Sequence, residues 1–297
     1  MSELKQNPVY VLIKAMRVYQ WSKNLLLFAA LLFSQQFLDP TQVGIVVQAF
    51  FAFSMVASAT YLLNDIMDRK KDQLHPKKKK RPLASGAMSV PVAIVLLLVL
   101  LAGGFTLAYS IRVEFLGIVL FYMALTIAYT LVLKHIIIVD VLAIATGFVA
   151  RALAGAIAID VLFSNWLVVC TLFLATFLSL CKRRHELTLL DENAEDHRKV
   201  LLQYTVHYLD QLILIMASGA IITYTIYTCS PEVVERLGTD KLYLTLPFVL
   251  YGVFRYIFTI HHHTGGDDPS RALLKDWPLG LCVVLWAASC GFIMVYL

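Results

Sequence analysis

Three aspartates in the stretch "NDIMDRKKD", Asp65, Asp68 and Asp72, stand three and four residues apart. On a helix that turns about 100° per residue they fall within about 60° of one another, on one face. Like charges so placed repel, and the arrangement is costly unless a cation lies among them. Magnesium takes oxygen ligands, usually one or two carboxylates completed by substrate phosphates. The spacing therefore fits a site for a magnesium–diphosphate complex, and Asn64 adds a neutral amide beside it. The plainer alternative is a solvated loop whose acids pair with nearby lysines. Position weakens that alternative, because "NDIMDRKKD" continues an apolar helix, and an aspartate at the centre of a membrane helix costs about 2.5–3.5 kcal/mol.

Other charged groups recur at comparable places. "HPKKKKRPLASG" follows the aspartates. Lys77–Lys80 read as a membrane-surface anchor. Arg81 precedes Pro82, which favours extended geometry and aims its guanidinium toward a phosphate. "LCKRRHELTLLDENAEDHRKV" sets Lys182, Arg183 and Arg184 against Glu186, Asp191, Glu192 and Asp196. That mixture suits a second metal, a second phosphate or an ordinary charged loop. "RVYQWSKN" offers Arg17, Gln20 and Lys23, and Tyr129 and Lys134 close a later apolar run. Asp140 and Arg151 fall inside another run, about 16 Å apart along a helix and so too far for contact. His261–His263 read as surface residues, and Asp276 before "WPL" as a helix cap.

These groups need elements to hold them. The chain has 297 residues, 59% of them hydrophobic and 15% charged, with a mean hydropathy of +0.74. A soluble domain carries about 25% charge. Runs of about 18 or more apolar residues read as membrane helices. Nine are found, at 22–38, 42–63, 89–110, 113–133, 136–158, 162–181, 206–228, 242–260 and 278–297, the first interrupted by Gln35 and Gln36. Helices satisfy their own backbone within lipid, and the alternation of a barrel is missing. The expected fold class is all-α, one membrane bundle over residues 1–297. Residues 1–20 read as an amphipathic surface segment without a cleavable signal, with Tyr19 and Trp21 at headgroup depth. Active-site loops are expected at 64–88, 182–203 and 261–277, forming helical-hairpin caps. On alternating sides of the nine runs, 20 of the 25 Lys and Arg residues fall on the amino-terminal side and three on the other. That asymmetry places the amino terminus and the charged loops in the cytoplasm. Five cysteines without a CxxC pair read as packing residues. A faint similarity between the ends of the second and sixth runs suggests two facing halves.

"NDIMDRKKD" followed by "RPLASG" resembles the first aspartate-rich motif of the UbiA superfamily of intramembrane prenyltransferases. The resemblance covers nearly the whole chain and implies nine helices and a magnesium-held diphosphate. The second aspartate motif of the superfamily is altered here, with Asp191 and Asp196 four residues apart after "KRRHEL". Together with "QWSKN", "YTLVLKHIIIVDVLAIATGFVARALAGA" and "SNWL", this resembles the phosphoribosyltransferase branch of that superfamily. The branch implies phosphoribosyl pyrophosphate as donor, a decaprenyl-like polyprenyl phosphate as acceptor, and a product used for lipid-linked pentose donors in bacterial cell-envelope synthesis. It implies that Asp65, Asp68 and Asp72 hold Mg2+ on the pyrophosphate, with Glu186 at a second metal or the ribose hydroxyls. Lys182 and Arg183 would meet the 5-phosphate, Lys23 or Lys134 the lipid phosphate, with Gln20, Asn64, Arg81 and Tyr129 completing the substrate contacts. The alternative is an aromatic prenyltransferase with the same first motif. A transporter is disfavoured, because charges gather at one face rather than threading the midplane. The expected location is the bacterial inner membrane. No nucleic-acid partner is expected, and a homo-oligomer is left open.

Overall fold

The computed structural model describes residues 7–74, 78–188, 201, 203–262 and 276–297. The described residues are helical and loop, without strands. The short α1 (Pro8–Met16) starts at an Asn7 cap, whose Oδ1 accepts from the Val9 N–H at 3.0 Å. Among the described residues, eight helices are long and apolar enough to cross a membrane. They are α3 (Pro40–Met67), α5 (Val90–Ile111), α6 (Val113–Leu131), α7 (Val139–Ala158), α8 (Asn165–Thr188), α9 (Val206–Cys229), α11 (Leu246–His262, extended upstream by a 3-10 turn at Lys241–Thr245) and α12 (Trp277–Tyr296). Between α9 and α11 lies the short α10 (Pro231–Leu237).

The first of the nine expected runs is not a continuous α-helix, which is why eight helices rather than nine meet that measure among the described residues. It runs as a 3-10 helix over Val18–Phe28, the short α2 (Ala29–Phe33) and a 3-10 turn at Gln36–Leu38. The 3-10 rise of about 2.0 Å per residue lengthens such a segment, and stretches beyond 3–4 residues are uncommon without outside support. The support comes from neighbours. Trp21 Nε1 donates to Ser58 Oγ at 3.0 Å, and Asn24 Nδ2 to Ser54 Oγ at 2.9 Å, both on α3. On the opposite flank a Cβ at Gly155 would lie 2.1 Å from the Leu27 carbonyl oxygen, so α7 meets this backbone directly. Arg151, one turn before Gly155, is buried and donates to Asn24 Oδ1, Gly147 O and Tyr122 Oη, each at 2.8 Å. No carboxylate among the described residues pairs with it. The rings of Phe53, Tyr122 and Phe148 surround the guanidinium instead.

Two apolar clusters share α7. One joins the 18–38 segment with α3, α5, α6 and α7, where Gly104 admits Val56 and the Ala52 backbone. The other joins α7, α8, α9, α11 and α12. Small residues at these contacts allow close helix approach, which is how membrane helices associate.

Where the expected loops are described, their first residues continue the preceding helices. The α3 ladder passes through the first aspartates: the Asp68 N–H bonds Asn64 O and the Asp72 N–H bonds Asp68 O, each at 2.9 Å. Asp68 only bends the path into α4 (Arg69–Leu74). Likewise α8 continues through Thr188, so Lys182, Arg183 and Glu186 lie on a helix rather than in a loop. Asp276 caps α12, its Oδ1 accepting from the Leu279 N–H at 3.0 Å.

Candidate active site

The residues after α4 fix Arg81. Leu83 is fully buried among α1, α3 and α5, while Arg69 and Gln73 donate to the Leu83 and Ala84 carbonyls. Gly86 takes φ 79°, open to glycine at no cost, and leads into α5. Arg81 is thereby turned back onto α3 and α4. Its Nη1 lies 3.0 Å from Asp65 Oδ1 and 2.6 Å from Asp72 Oδ2. Arg17, held at φ 52° between α1 and the 3-10 helix, pairs with the same Asp65 oxygen and lies over the Tyr61 ring. Asp65 and Asp72 are only 2% and 4% exposed. They face two arginines inside the fold, not bulk solvent and surface lysines.

Asp68 points elsewhere. It is partly exposed and meets Lys134, Nζ to Oδ2, at 3.9 Å. Arg17, Arg81 and Lys134 thus face the three carboxylates at this end of the bundle. Beside them Asn64 lines a shallow, open groove between α3 and α6, with Thr60, Met67, Thr126 and Thr130 along its wall. Gln20 and Lys23 are half-buried on the 3-10 helix that begins at Arg17.

A second polar cluster joins α6, α7 and α8. Arg183 is 2% exposed; its Nε lies 2.8 Å from the fully buried Asp140, its Nη1 pairs with Glu186, and its Nη2 donates to Tyr129 Oη at 3.1 Å. Tyr204 completes the cluster, its hydroxyl donating to Asp140 Oδ1 at 3.0 Å and accepting from the Ile138 N–H at 2.7 Å. Burial pushes the Tyr204 phenol up to about 12, so it stays protonated and able to donate at neutral pH. Lys182 is half-exposed beside the cluster. Arg184 points away, to Asp210 at 2.5 Å. Asp191, Glu192, Asp196, Lys77, His263 and 264–275 lie outside the described residues.

The structure thus gathers Asp65, Asp72, Arg81 and Arg17 into one knot, Asp68 and Lys134 into a neighbouring pair, and Arg183, Glu186 and Tyr129 into another. Arg17 stood in the sequence as a cation before the first apolar run, with nothing to show that it reaches Asp65. Tyr204 had no signal, because a lone tyrosine after an acidic stretch has no informative spacing.

The UbiA prenyltransferase family model matches residues 25–274. The chain belongs to the UbiA prenyltransferase family. Among its relatives, the decaprenyl-phosphate phosphoribosyltransferase of Mycolicibacterium smegmatis is 31% identical over 96% of this chain and 93% of its own length. That of Corynebacterium glutamicum is 29% identical over 96% and 87%, and the nodulation protein NoeC of Azorhizobium caulinodans 30% over 97% and 94%. A UbiA homologue from Archaeoglobus fulgidus, solved with GPP and Mg2+, superposes with a TM-score of 0.71 at 18% identity, covering 97% of this chain and all of its own. The UbiA fold and the eight apolar helices make this a multi-pass membrane protein.

The donor set suits magnesium. Asn64, Asp65, Asp68 and Asp72 offer only oxygen. Among the described residues no three acidic, histidine or cysteine side chains converge on one point, but magnesium needs no such cage and is usually completed by substrate phosphates. Because Arg17, Arg81 and Lys134 already face the carboxylates, a bare dication competes with them for the same oxygens, whereas a diphosphate arriving with the dication offers those cations new partners.

Proposed function

We propose that this protein transfers 5-phosphoribose from phosphoribosyl pyrophosphate to a polyprenyl phosphate and releases pyrophosphate. The observation that carries the reading is the near full-length similarity to decaprenyl-phosphate phosphoribosyltransferases. One membrane domain over residues 1–297 performs the reaction. It sits in the bacterial inner membrane with the amino terminus and the aspartate end in the cytoplasm, as the Lys and Arg asymmetry supports.

Asp65 and Asp68, with Asn64 and Asp72, would hold magnesium on the donor pyrophosphate. Bound there, magnesium would supply charge neutralisation on the leaving pyrophosphate. Arg17 and Arg81 turn from the carboxylates toward the same phosphates, where planar guanidinium donors suit paired oxygens. Lys182 meets the 5-phosphate, and Lys23 or Lys134 the lipid phosphate. Arg183, enclosed by Asp140, Glu186 and Tyr129, acts by holding Glu186 toward the ribose. The lipid approaches sideways, along a groove such as that between α3 and α6. Its phosphate oxygen bonds ribose C1 as the C1–pyrophosphate bond breaks. A phosphate monoester is already nucleophilic at neutral pH, so no strong general base is needed.

The test is purified protein with magnesium, labelled phosphoribosyl pyrophosphate and decaprenyl phosphate. A labelled lipid product is expected, and none with a prenyl diphosphate plus 4-hydroxybenzoate. The reverse pattern would make the protein an aromatic prenyltransferase.

A further inference from the structure

The turn that carries Lys134 into α7 contains a strained residue. Ile138 has φ 69° and ψ −47°, and the Val139 N–H closes a three-residue turn on Ile137 O at 2.8 Å. This is the rare hand of the γ-turn. A β-branched side chain at positive φ is an outlier that persists only where its surroundings enforce it. The enforcing contact comes from far along the chain. The Ile138 N–H donates to Tyr204 Oη at 2.7 Å, and that hydroxyl donates onward to Asp140 Oδ1 at 3.0 Å. Asp140 in turn holds Arg183, and Arg183 holds Glu186 and Tyr129. Upstream the same turn carries Lys134 to Asp68. One hydroxyl, two residues before α9, thus ties the segment bearing Lys134 to the helix bearing Glu186.

We infer that Tyr204 is a positioning residue, whose hydroxyl holds the Ile137–Val139 turn and through it sets Lys134 and Glu186 at the site. The inference uses the transferase reading for its kinetic readout. Tyr204→Phe keeps the buried ring and its stacking on Tyr208 but leaves the Ile138 N–H without its acceptor. The KM for one of the two phosphorylated substrates is expected to rise about tenfold, the loss of one hydrogen bond to a buried group, with kcat changed less. Hydrogen exchange across residues 134–140 is expected to quicken. Glycine takes positive φ without strain. Ile138→Gly alone is therefore expected to keep the parental KM, and Tyr204→Phe with Ile138→Gly to regain it. A tyrosine that merely filled space would not be rescued by a glycine in another segment. Unchanged KM and exchange in Tyr204→Phe, or no recovery in the double variant, overturns the inference. If the parent protein transfers no phosphoribose, the functional reading fails, and exchange at 134–140 in the same three variants still decides the role of Tyr204.

Discussion

At the scale of single residues, the aspartate end is a knot of carboxylates and basic side chains whose partners were hard to foresee. The spacing of Asp65, Asp68 and Asp72 suggests one helical face, but α3 ends at Asp68, which turns toward Lys134 while Asp65 and Asp72 stay together. Two side chains face arginines and the third a lysine. Asp68→Asn retains size and polarity and removes the charge. Transfer is expected to fall about 100-fold or more, as when a group stabilising developing charge is lost, while far-UV circular dichroism and elution volume stay unchanged. Near-parental turnover would remove Asp68 from the proposed machinery. Arg81→Gln makes a prediction of two signs. Donor KM rises about tenfold, the scale of one charge-assisted hydrogen bond, while Mn2+ without donor binds more tightly, because Asp65 and Asp72 lose a competing cation. Electron paramagnetic resonance of Mn2+ titrated into each protein reads the second effect. Weaker metal binding in the variant would contradict the surrogate-cation role of Arg81.

At the scale of elements, the 3-10 segment is held where α7 offers no side chain. Gly155→Val would place carbon within 2.1 Å of the Leu27 carbonyl, a contact that only backbone movement can relieve. A lower thermal midpoint in detergent is expected, with Gln20 and Lys23 displaced and both substrate KM values raised. A variant as stable and active as the parent would mean that the segment is not fixed there. The start of α12 offers a pH test. Burial acts to raise the Asp276 carboxyl, but hydrogen bonds from Arg255, the Leu279 N–H and Thr259 outweigh it and hold the group below the usual carboxylate range. A depressed carboxylate contributes its full stability above its unfolded value, near pH 4, and loses it as pH falls through the folded value. Asp276→Ala should cost about 1 kcal/mol at pH 7, the size of a lost helix cap. The difference in thermal midpoint from the parent should narrow on acidification below about pH 4. A constant difference would place the contribution in packing rather than charge.

At the scale of the whole molecule, the orientation is open to a direct test. Cys229 is exposed at the end of α9, on the side opposite the aspartates, while the other four cysteines are buried. A membrane-impermeant maleimide should label Cys229 in intact spheroplasts. With Cys229 replaced by serine and Lys80 by cysteine, label should enter only inverted vesicles. The opposite pattern would invert the proposed topology. Much of this level was legible beforehand, including the helical class, the membrane residence and the one-sided distribution of charge. Each depends on local composition over about 18 residues and on the demand that a backbone in lipid bond to itself. The interrupted first segment was only half legible, since Gln35 and Gln36 marked a weakness without showing that 3-10 geometry, Ser54, Ser58 and Gly155 resolve it. Tertiary structure alone decided that Arg17 reaches Asp65, that Arg183 is enclosed between Asp140 and Glu186, and that Tyr204 holds the turn at Ile138. Those pairings depend on how helices distant in sequence are rotated against one another. Rotation is settled by packing over the whole bundle, so no window of residues contains it.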